Sequence, residues 1–248
     1  LVIKAATGGY DGRGVFVVDD ATEATGVLEN LAHAGVTALI EERVEIVAEL
    51  AALVARTPSG AFAAWPVVET AQIDGVCREV LVPGSVSEAQ RIEGAALAQR
   101  IAEFVDVVGV MAVELFATPT GIVVNELAMR PHNSGHWTQD GAVTSQFENH
   151  LRAILDLPLG STDMVAKEVA SVNVFGGDDA LDPKASLADA LAIPTAHLHL
   201  YGKEPRPGRK LGHVNVVGTD PDVVRSTAWQ AARALGTPVP DALDKEAR

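Results

Sequence analysis

Apolar positions along this chain recur with two different periods, and each change of period marks an element. Leu1-Val2-Ile3-Lys4-Ala5-Ala6 and Val15-Phe16-Val17-Val18 are short apolar runs on either side of a glycine-rich stretch, which predicts strand–loop–strand. Asp20, with Glu23 three residues on, predicts a capped helix carrying Val27, Leu28 and Leu31 on one face, stopped by Gly35. Thr37 to Glu42 reads as a short strand ending in acids. Glu45 to Arg56 and Phe62 to Val68 read as a hairpin about the turn Thr57-Pro58-Ser59-Gly60. Asp74-Gly75 marks another turn, followed by a strand over Val76 to Val82 that Pro83-Gly84 closes.

Ser87, with Gln90 three positions on, caps a helix whose apolar stripe runs from Ile92 to Val105. Val108 to Ala117 and Ile122 to Leu127 form a second hairpin about Thr118-Pro119-Thr120-Gly121. Polar Arg130 to Asp140 reads as a loop, and Ser145 to Leu155 as an amphipathic helix ended by Pro158. Beyond Ser161 come a strand (Glu168 to Phe175), a turn, a short helix (Ala185 to Leu191) and a strand (His197 to Tyr201). A basic stretch from Lys203 to Lys210 precedes a strand at Val214 to Val217 and a helix from Pro221 to Leu235, and Gly236 to Arg248 reads as a loose tail. Strand pairs mixed with helices predict an α+β fold with antiparallel sheets.

Composition narrows the picture. The 248 residues are 48% hydrophobic and 21% charged, as in an ordinary globular protein. No apolar run reaches the ~18 residues of a membrane span, and no stretch reads as a signal peptide. The formal net charge of −14 argues against nucleic acid as a partner, since that binding runs on Lys and Arg. An acidic chain that handles anions must concentrate its positive charge locally. The single cysteine, Cys77, excludes an intrachain disulfide and a cysteine-based zinc site, which fits a cytoplasmic protein. The chain opens at Leu1 inside an apolar run, so we expect a fragment whose N-terminal part is missing.

Five stretches could carry chemistry. Thr7-Gly8-Gly9-Tyr10-Asp11-Gly12-Arg13-Gly14 places four glycines in eight residues, a loop able to bring backbone N–H groups to an anion. It lacks the Gly-Lys-Ser/Thr ending and the following helix of a Walker A loop. It is therefore either a flap over phosphates, with Lys4 entering from the strand before it, or a glycine-rich turn with no ligand. In the second hairpin, a three-residue loop at Pro119-Thr120-Gly121 pairs residue i with 240 − i, so Glu114 faces Glu126. Carboxylates so opposed, about 5 Å apart at Cβ, suit a hard cation such as Mg²⁺, or else they are surface acids. Asn125 is adjacent, although simple alternation turns it to the other face. Glu41, Glu42 and Glu49 could accept from ribose hydroxyls or lie in solvent. Arg130-Pro131-His132-Asn133-Ser134-Gly135-His136 supplies polar donors next to the carboxylate hairpin, and its Pro and Gly argue against a zinc-binding helix. Lys203, Arg206, Arg209 and Lys210 put four of the 19 positive charges within eight residues, which suits a phosphate monoester or a solvated basic turn.

Together these motifs resemble the ATP-grasp superfamily, and within it the N5-carboxyaminoimidazole ribonucleotide synthase family. The resemblance runs from Leu1 to about Val217. It is carried by Lys4 with the glycine-rich loop, by Asn125-Glu126-Leu127-Ala128 and the stretch from Arg130 to Thr138, by Ser145-Gln146-Phe147-Glu148, and by Arg206-Pro207-Gly208-Arg209-Lys210-Leu211-Gly212-His213. Met129 stands where the family commonly has proline, and Glu45 to Glu49 is a loose version of its nucleotide-site stretch.

The resemblance implies an ATP-grasp domain over residues 1–160, begun inside the domain. A small C-terminal mixed β domain with the basic loop follows over 161–248. It implies an ATP-dependent carbon–nitrogen ligase that carboxylates 5-aminoimidazole ribonucleotide with bicarbonate, through carboxyphosphate, in purine biosynthesis. ATP would be held by Lys4, by the flap Gly8, Gly9, Tyr10, Asp11, Gly12, Arg13 and Gly14, by Arg43, by Glu41, Glu42 and Val44 about the adenine, by Glu49 at the ribose, and by Asn125 and Glu126. Glu114 and Glu126 would bind Mg²⁺. Asp11, Asn133 and Lys203 would be catalytic, with Asp11 and Asn133 facing the aminoimidazole or the transferring carboxyl group. Asn133, Lys203, Arg209 and Lys210 would bind the substrate, the last three at its 5′-phosphate. A homodimer is implied as well. A formate-dependent glycinamide ribonucleotide transformylase-like enzyme and a non-catalytic nucleotide-binding fragment are the alternatives.

Overall fold

Ile3 is wholly buried at the centre of a small lobe. It lies on β1 (Val2–Ala5), which pairs antiparallel with β2 (Val15–Val17) on one side and β3 (Ala38–Glu41) on the other. Helix α1 (Ala21–His33) lays Leu31 against Ile3 and Val18. Asp20 caps α1 by accepting from the N–H groups of Thr22 and Glu23, while Glu23 reaches back to the N–H of Asp19. The computed structural model describes residues 1–7, 14–73, 75–85 and 87–240. The expected flap residues Gly8, Gly9, Tyr10, Asp11, Gly12 and Arg13 lie outside them, as do residues 241–248.

The rest of the chain builds a nine-stranded sheet, antiparallel at every pairing among the described residues. Within it, between β6 and β8, runs β4 (Ala48–Arg56). Leu50, Ala52 and Val54 face α2 (Glu88–Phe104), where Ala98 and Ala102 are buried. Ala51, Leu53 and Ala55 face the opposite layer, which holds Trp137 and Ala142. Cover on both faces is why β4 reads as a nearly unbroken apolar run. Each large side chain so buried contributes roughly 1.5–3 kcal/mol.

The expected return strand from Phe62 to Val68 is split in two. β5 (Phe62–Ala64) pairs with β4, and β6 (Val68–Ile73) then pairs with both β4 and β7 (Val76–Val82). Between them Trp65 is buried and donates Nε1–H to the Thr144 carbonyl at 3.0 Å, and Pro66 has no N–H to give a ladder. The hairpin of β8 (Gly109–Thr118) and β9 (Gly121–Ala128) closes the sheet beside β4. The stretch from Arg130 to Asp140, expected to be a loop, holds a 3₁₀ turn at Asn133–Gly135 and the short helix α3 (Thr138–Gly141), both packed down by buried Trp137. Helix α4 (Gln146–Ile154) follows.

The C-terminal part supplies β10 (Glu168–Phe175), α5 (Leu187–Leu191), β11 (Ala196–Leu200), β12 (Lys210–Gly218) and α6 (Pro221–Ala234). β10 pairs with β7, so one sheet, in the order β11-β12-β10-β7-β6-β4-β8-β9, crosses the 160/161 position where a division was expected. Strand β12 begins at Lys210, earlier than the Val214 start read from the sequence, which takes Lys210 out of the basic loop and into the ladder. Helix α6 is tied to β7 by Glu79, 1% exposed, which accepts from Arg225 Nε at 3.1 Å and Trp229 Nε1 at 2.7 Å. No helix of the described residues is long and apolar enough to cross a membrane.

Candidate active site

A cleft of about 780 Å³ lies between the small lobe and the large sheet. From the small lobe it takes Lys4, Gly14 and the segment Glu41, Glu42, Arg43 and Val44 that leaves β3. From the sheet it takes Glu49 on β4, Glu114 on β8, Asn125 and Glu126 on β9, and Lys210 on β12. Asn133 lines it as well.

The carboxylate hairpin reaches its pairing by a different route from the one the loop length implied. The turn has two residues, so Thr118 pairs with Gly121 and Leu115 with Val124, one short of the expected register. A bulge between Leu115 and Glu114 then takes up Asn125 as an extra residue, and Glu114 faces Glu126 after all. A bulge re-aims the side chain it adds. Here Asn125 turns into the cleft, contrary to simple alternation. It donates Nδ2–H to Glu114 Oε2 at 3.4 Å and accepts from Lys4 Nζ at 2.8 Å. The same ammonium lies 2.7 Å from Glu41 Oε2.

Burial first, and then the charges of Glu126 and Glu49, push the Glu114 carboxyl up to about 7. The Asn125 hydrogen bond and the Arg130 charge oppose them. Burial also raises Glu49. Such a site is short of positive charge. Among the described residues no three His, Cys, Asp or Glu groups converge on a metal position. Two opposed carboxylates nevertheless fit Mg²⁺, which binds through one or two carboxylates and completes its shell with water and phosphate oxygens.

His132 stands beside this pair, its Nε2 3.4 Å from Glu114 Oε1 and its Nδ1 2.9 Å from Ser134 Oγ. The sequence reading gave it only as one of several polar donors in the loop beside the carboxylate hairpin; its position six residues beyond Glu126 was the signal for a closer role. Asn133 Oδ1 is buried at the cleft with no hydrogen-bond partner among the described residues. Arg130 and Cys77 line the cleft too. The Cys77 thiol is pushed up to about 12, chiefly by burial, and so stays protonated.

The basic stretch is divided. Lys210 lines the cleft, whereas Lys203 and Arg209 stand on the exposed loop before it. Lys203 Nζ sits 5.3 Å from the centre of the Tyr201 ring, and Arg209 donates to the Glu204 carbonyl at 3.0 Å. The loop is pinned at Gly176, which accepts from Gly208 N–H and donates to the Arg209 carbonyl, both at 2.9 Å.

Next to the site, His136, His213 and His199 stack in sequence, with ring centres 4.7 and 4.5 Å apart. Burial, with neighbouring cations adding to it, lowers His136 to about 3. Burial likewise lowers His213 to about 2. Both rings are therefore neutral, and Tyr201, whose phenol burial raises, is hydrogen-bonded to His213 Nδ1 at 2.7 Å. Asp140 joins the stack to the sheet through His199 Nε2 and Asn215 Nδ2, each at 2.7 Å. Burial alone would raise Asp140, but those two hydrogen bonds hold it low.

Comparison with known proteins agrees with this architecture. Residues 1–147 match the ATP-grasp domain, and the chain belongs to that family. Residues 170–227 match the phosphoribosylaminoimidazole carboxylase C-terminal domain. Within the family the chain is similar to N5-carboxyaminoimidazole ribonucleotide synthases. It is 53% identical to that of Mycobacterium leprae (strain TN) over 231 residues, which is 90% of this chain and 52% of the relative. It is 45% identical to that of Corynebacterium ammoniagenes, over 95% of this chain and 59% of the relative. The chain thus spans about half the length of the curated relatives it matches. Among solved structures, the Thermus thermophilus synthetase superposes with a TM-score of 0.81 at 38% identity, covering 96% of this chain and 62% of that one. The Aspergillus clavatus enzyme in complex with ADP and 5-aminoimidazole ribonucleotide gives 0.82 at 33% identity, covering 95% and 61%.

Proposed function

We propose that this chain carries the nucleotide and metal site of an ATP-dependent ligase that carboxylates 5-aminoimidazole ribonucleotide to N5-carboxyaminoimidazole ribonucleotide. The observation that carries this reading is the cleft in which Lys4 and Asn125 meet beside the opposed Glu114 and Glu126. That is an arrangement for a polyphosphate with a divalent cation. In the reaction, a bicarbonate oxygen attacks the γ-phosphorus of ATP and ADP leaves, giving carboxyphosphate. Its C–O bond to phosphate breaks, phosphate departs with the bonding electrons, and the exocyclic amine of the ribonucleotide takes the released CO₂ and loses a proton.

Phosphoryl transfer of this kind asks the protein for position and charge rather than covalent help. Lys4 holds phosphate oxygens, and Glu41 and Asn125 hold Lys4 in place. Glu42, Arg43 and Val44 border the adenine, and Glu49 the ribose. Glu114 and Glu126 would hold Mg²⁺, which when bound offsets the charge of the phosphates. Asn133 offers its unpaired acceptor to the amine. Lys210 meets the ribonucleotide's 5′-phosphate from the ladder, with Lys203 and Arg209 on the loop before it. The roles of Asp11 and of the flap from Gly8 to Gly14 rest on the sequence resemblance. The division into residues 1–160 and 161–248 follows the same resemblance, as does a cytoplasmic homodimer. Exposed Phe147, Leu151 and Leu155 on and just after α4 suit a contact between subunits.

ADP release by the full chain, measured with Mg²⁺ and bicarbonate and with or without the ribonucleotide, tests the reading. Release that rises with 5-aminoimidazole ribonucleotide and yields the carboxylated product supports it. Release indifferent to the ribonucleotide leaves a nucleotide-binding module and no more.

A further inference from the structure

We infer that Gln146 is the positioning residue of this site: its carboxamide holds both backbone polar groups of His132 and so sets where the His132 imidazole stands against Glu114. Gln146 opens α4 and is wholly buried. Its Oε1 accepts from the His132 N–H at 2.8 Å, and its Nε2 donates to the His132 carbonyl at 2.8 Å. A side-chain amide that serves one residue in both directions does what a neighbouring strand does, for a single peptide position. The second hydrogen of Nε2 goes to His136 Nδ1 at 3.1 Å. The neutral His136 ring accepts there, with its own proton on Nε2.

Only an amide has one acceptor and two donors at this reach. Glutamate would keep the acceptor and lose both donors. Methionine would keep the length and leave a buried N–H and a buried carbonyl without partners. Gln146 is itself fixed: its N–H donates to Thr138 Oγ1 at 2.9 Å, and that hydroxyl donates to the Gly135 carbonyl at 2.6 Å. The fit is close enough that a methyl group at Gly135 would come within 2.7 Å of Gln146 Cδ and of Leu53 Cδ2. This accounts for the glycine. The clamp thus runs from the buried layer under β4 to the ring that faces the carboxylate pair, and Gln146 is not among the residues that line the cleft.

This inference rests on the proposed carboxylation. Its test is steady-state kinetics on the full chain, wild type beside Gln146→Met, His132→Ala and the double variant. A misplacement of about 1 Å costs on the order of 100-fold in rate, so kcat in Gln146→Met falls by about that factor while the KM for ATP holds. The two substitutions are non-additive, because Gln146 acts through His132. Additive losses, or a KM for ATP that rises together with the fall in kcat, overturn the inference. Gln146→Glu serves if the methionine variant does not fold. Acidification returns a donor to its carboxyl, so its kcat recovers toward wild type as pH falls, and a profile parallel to wild type overturns the clamp. A wild-type chain without ribonucleotide-dependent turnover refutes the proposed function instead.

Discussion

Lys4 Nζ donates to Asn125 Oδ1 at 2.8 Å, joining residues 121 positions apart and two sheets that share no strand. Asn125 is available only because the bulge in β9 turns it inward. Glu41, 2.7 Å from the same ammonium, holds it from the other side. Replacing Lys4 by methionine removes the cation and the bridge together. ATP binding, measured by calorimetry, is expected to weaken about tenfold or more, equal to ~1.4 kcal/mol or above. An unchanged affinity would take Lys4 out of the phosphate site.

Glu126→Gln removes one of the two carboxylates without changing the shape of the hairpin. Magnesium-dependent turnover is expected to vanish while the circular dichroism spectrum and melting temperature stay near wild type. The Glu114 carboxyl, at about 7, should also titrate lower, since the Glu126 charge is one cause of its elevation. The fall is partial because burial is the larger cause. NMR titration of the metal-free chain reads it directly.

Arg225→Ala strands the buried Glu79 charge between β7 and α6. Removing one partner of such a pair costs about 3–5 kcal/mol, so the urea midpoint should drop sharply. Glu79→Met combined with Arg225→Met should recover much of the loss, because no charge is left behind. A double variant no more stable than Arg225→Ala would contradict this account.

Acid should destabilise the fold through the histidine stack. His136 and His213 stay neutral in the fold down to about 3 and about 2, whereas the unfolded chain takes up protons below the ordinary 6.5. Below pH 6.5 the unfolded state therefore binds more protons, and stability falls as pH falls. Each group adds a slope of roughly 1.4 kcal/mol per pH unit. His213→Gln should lower the slope of unfolding free energy between pH 6 and 4 by one such increment, whatever it does to absolute stability.

Elements were legible in the sequence where the controlling interaction was local. Capped helices were legible because Asp20, Ser87 and Ser145 bond to their own first turns. The strands β4 and β8 were legible from their apolar runs. The hairpin pairing was right in its outcome and not in its cause: no local feature announces that Asn125 bulges to compensate a turn one residue shorter than assumed. The break at Trp65-Pro66 depended on Thr144, 79 positions away. His132 was legible as a polar residue near the carboxylates, but its place rests on Gln146, fourteen residues on. Lys203, Arg209 and Lys210 looked like one cluster, until the ladder took Lys210 and Gly176 pinned the others outside.

The unbroken sheet has a consequence for the cleft. From β12, which carries Lys210, to β8, which carries Glu114, there are five ladder steps. At about 4.8 Å per step a flat sheet would set these strands roughly 24 Å apart. A twist of about 20–25° per step turns them through some 100–125°, and both strands line the one cleft. Continuous backbone ladders join the strand of the carboxylate pair to the strand of Lys210, so their separation is set by the sheet itself. Among the described residues the three-stranded lobe has no ladder to that sheet. Lobe and sheet face each other like the two jaws of a caliper, and the bond from Lys4 to Asn125 is one point at which they touch.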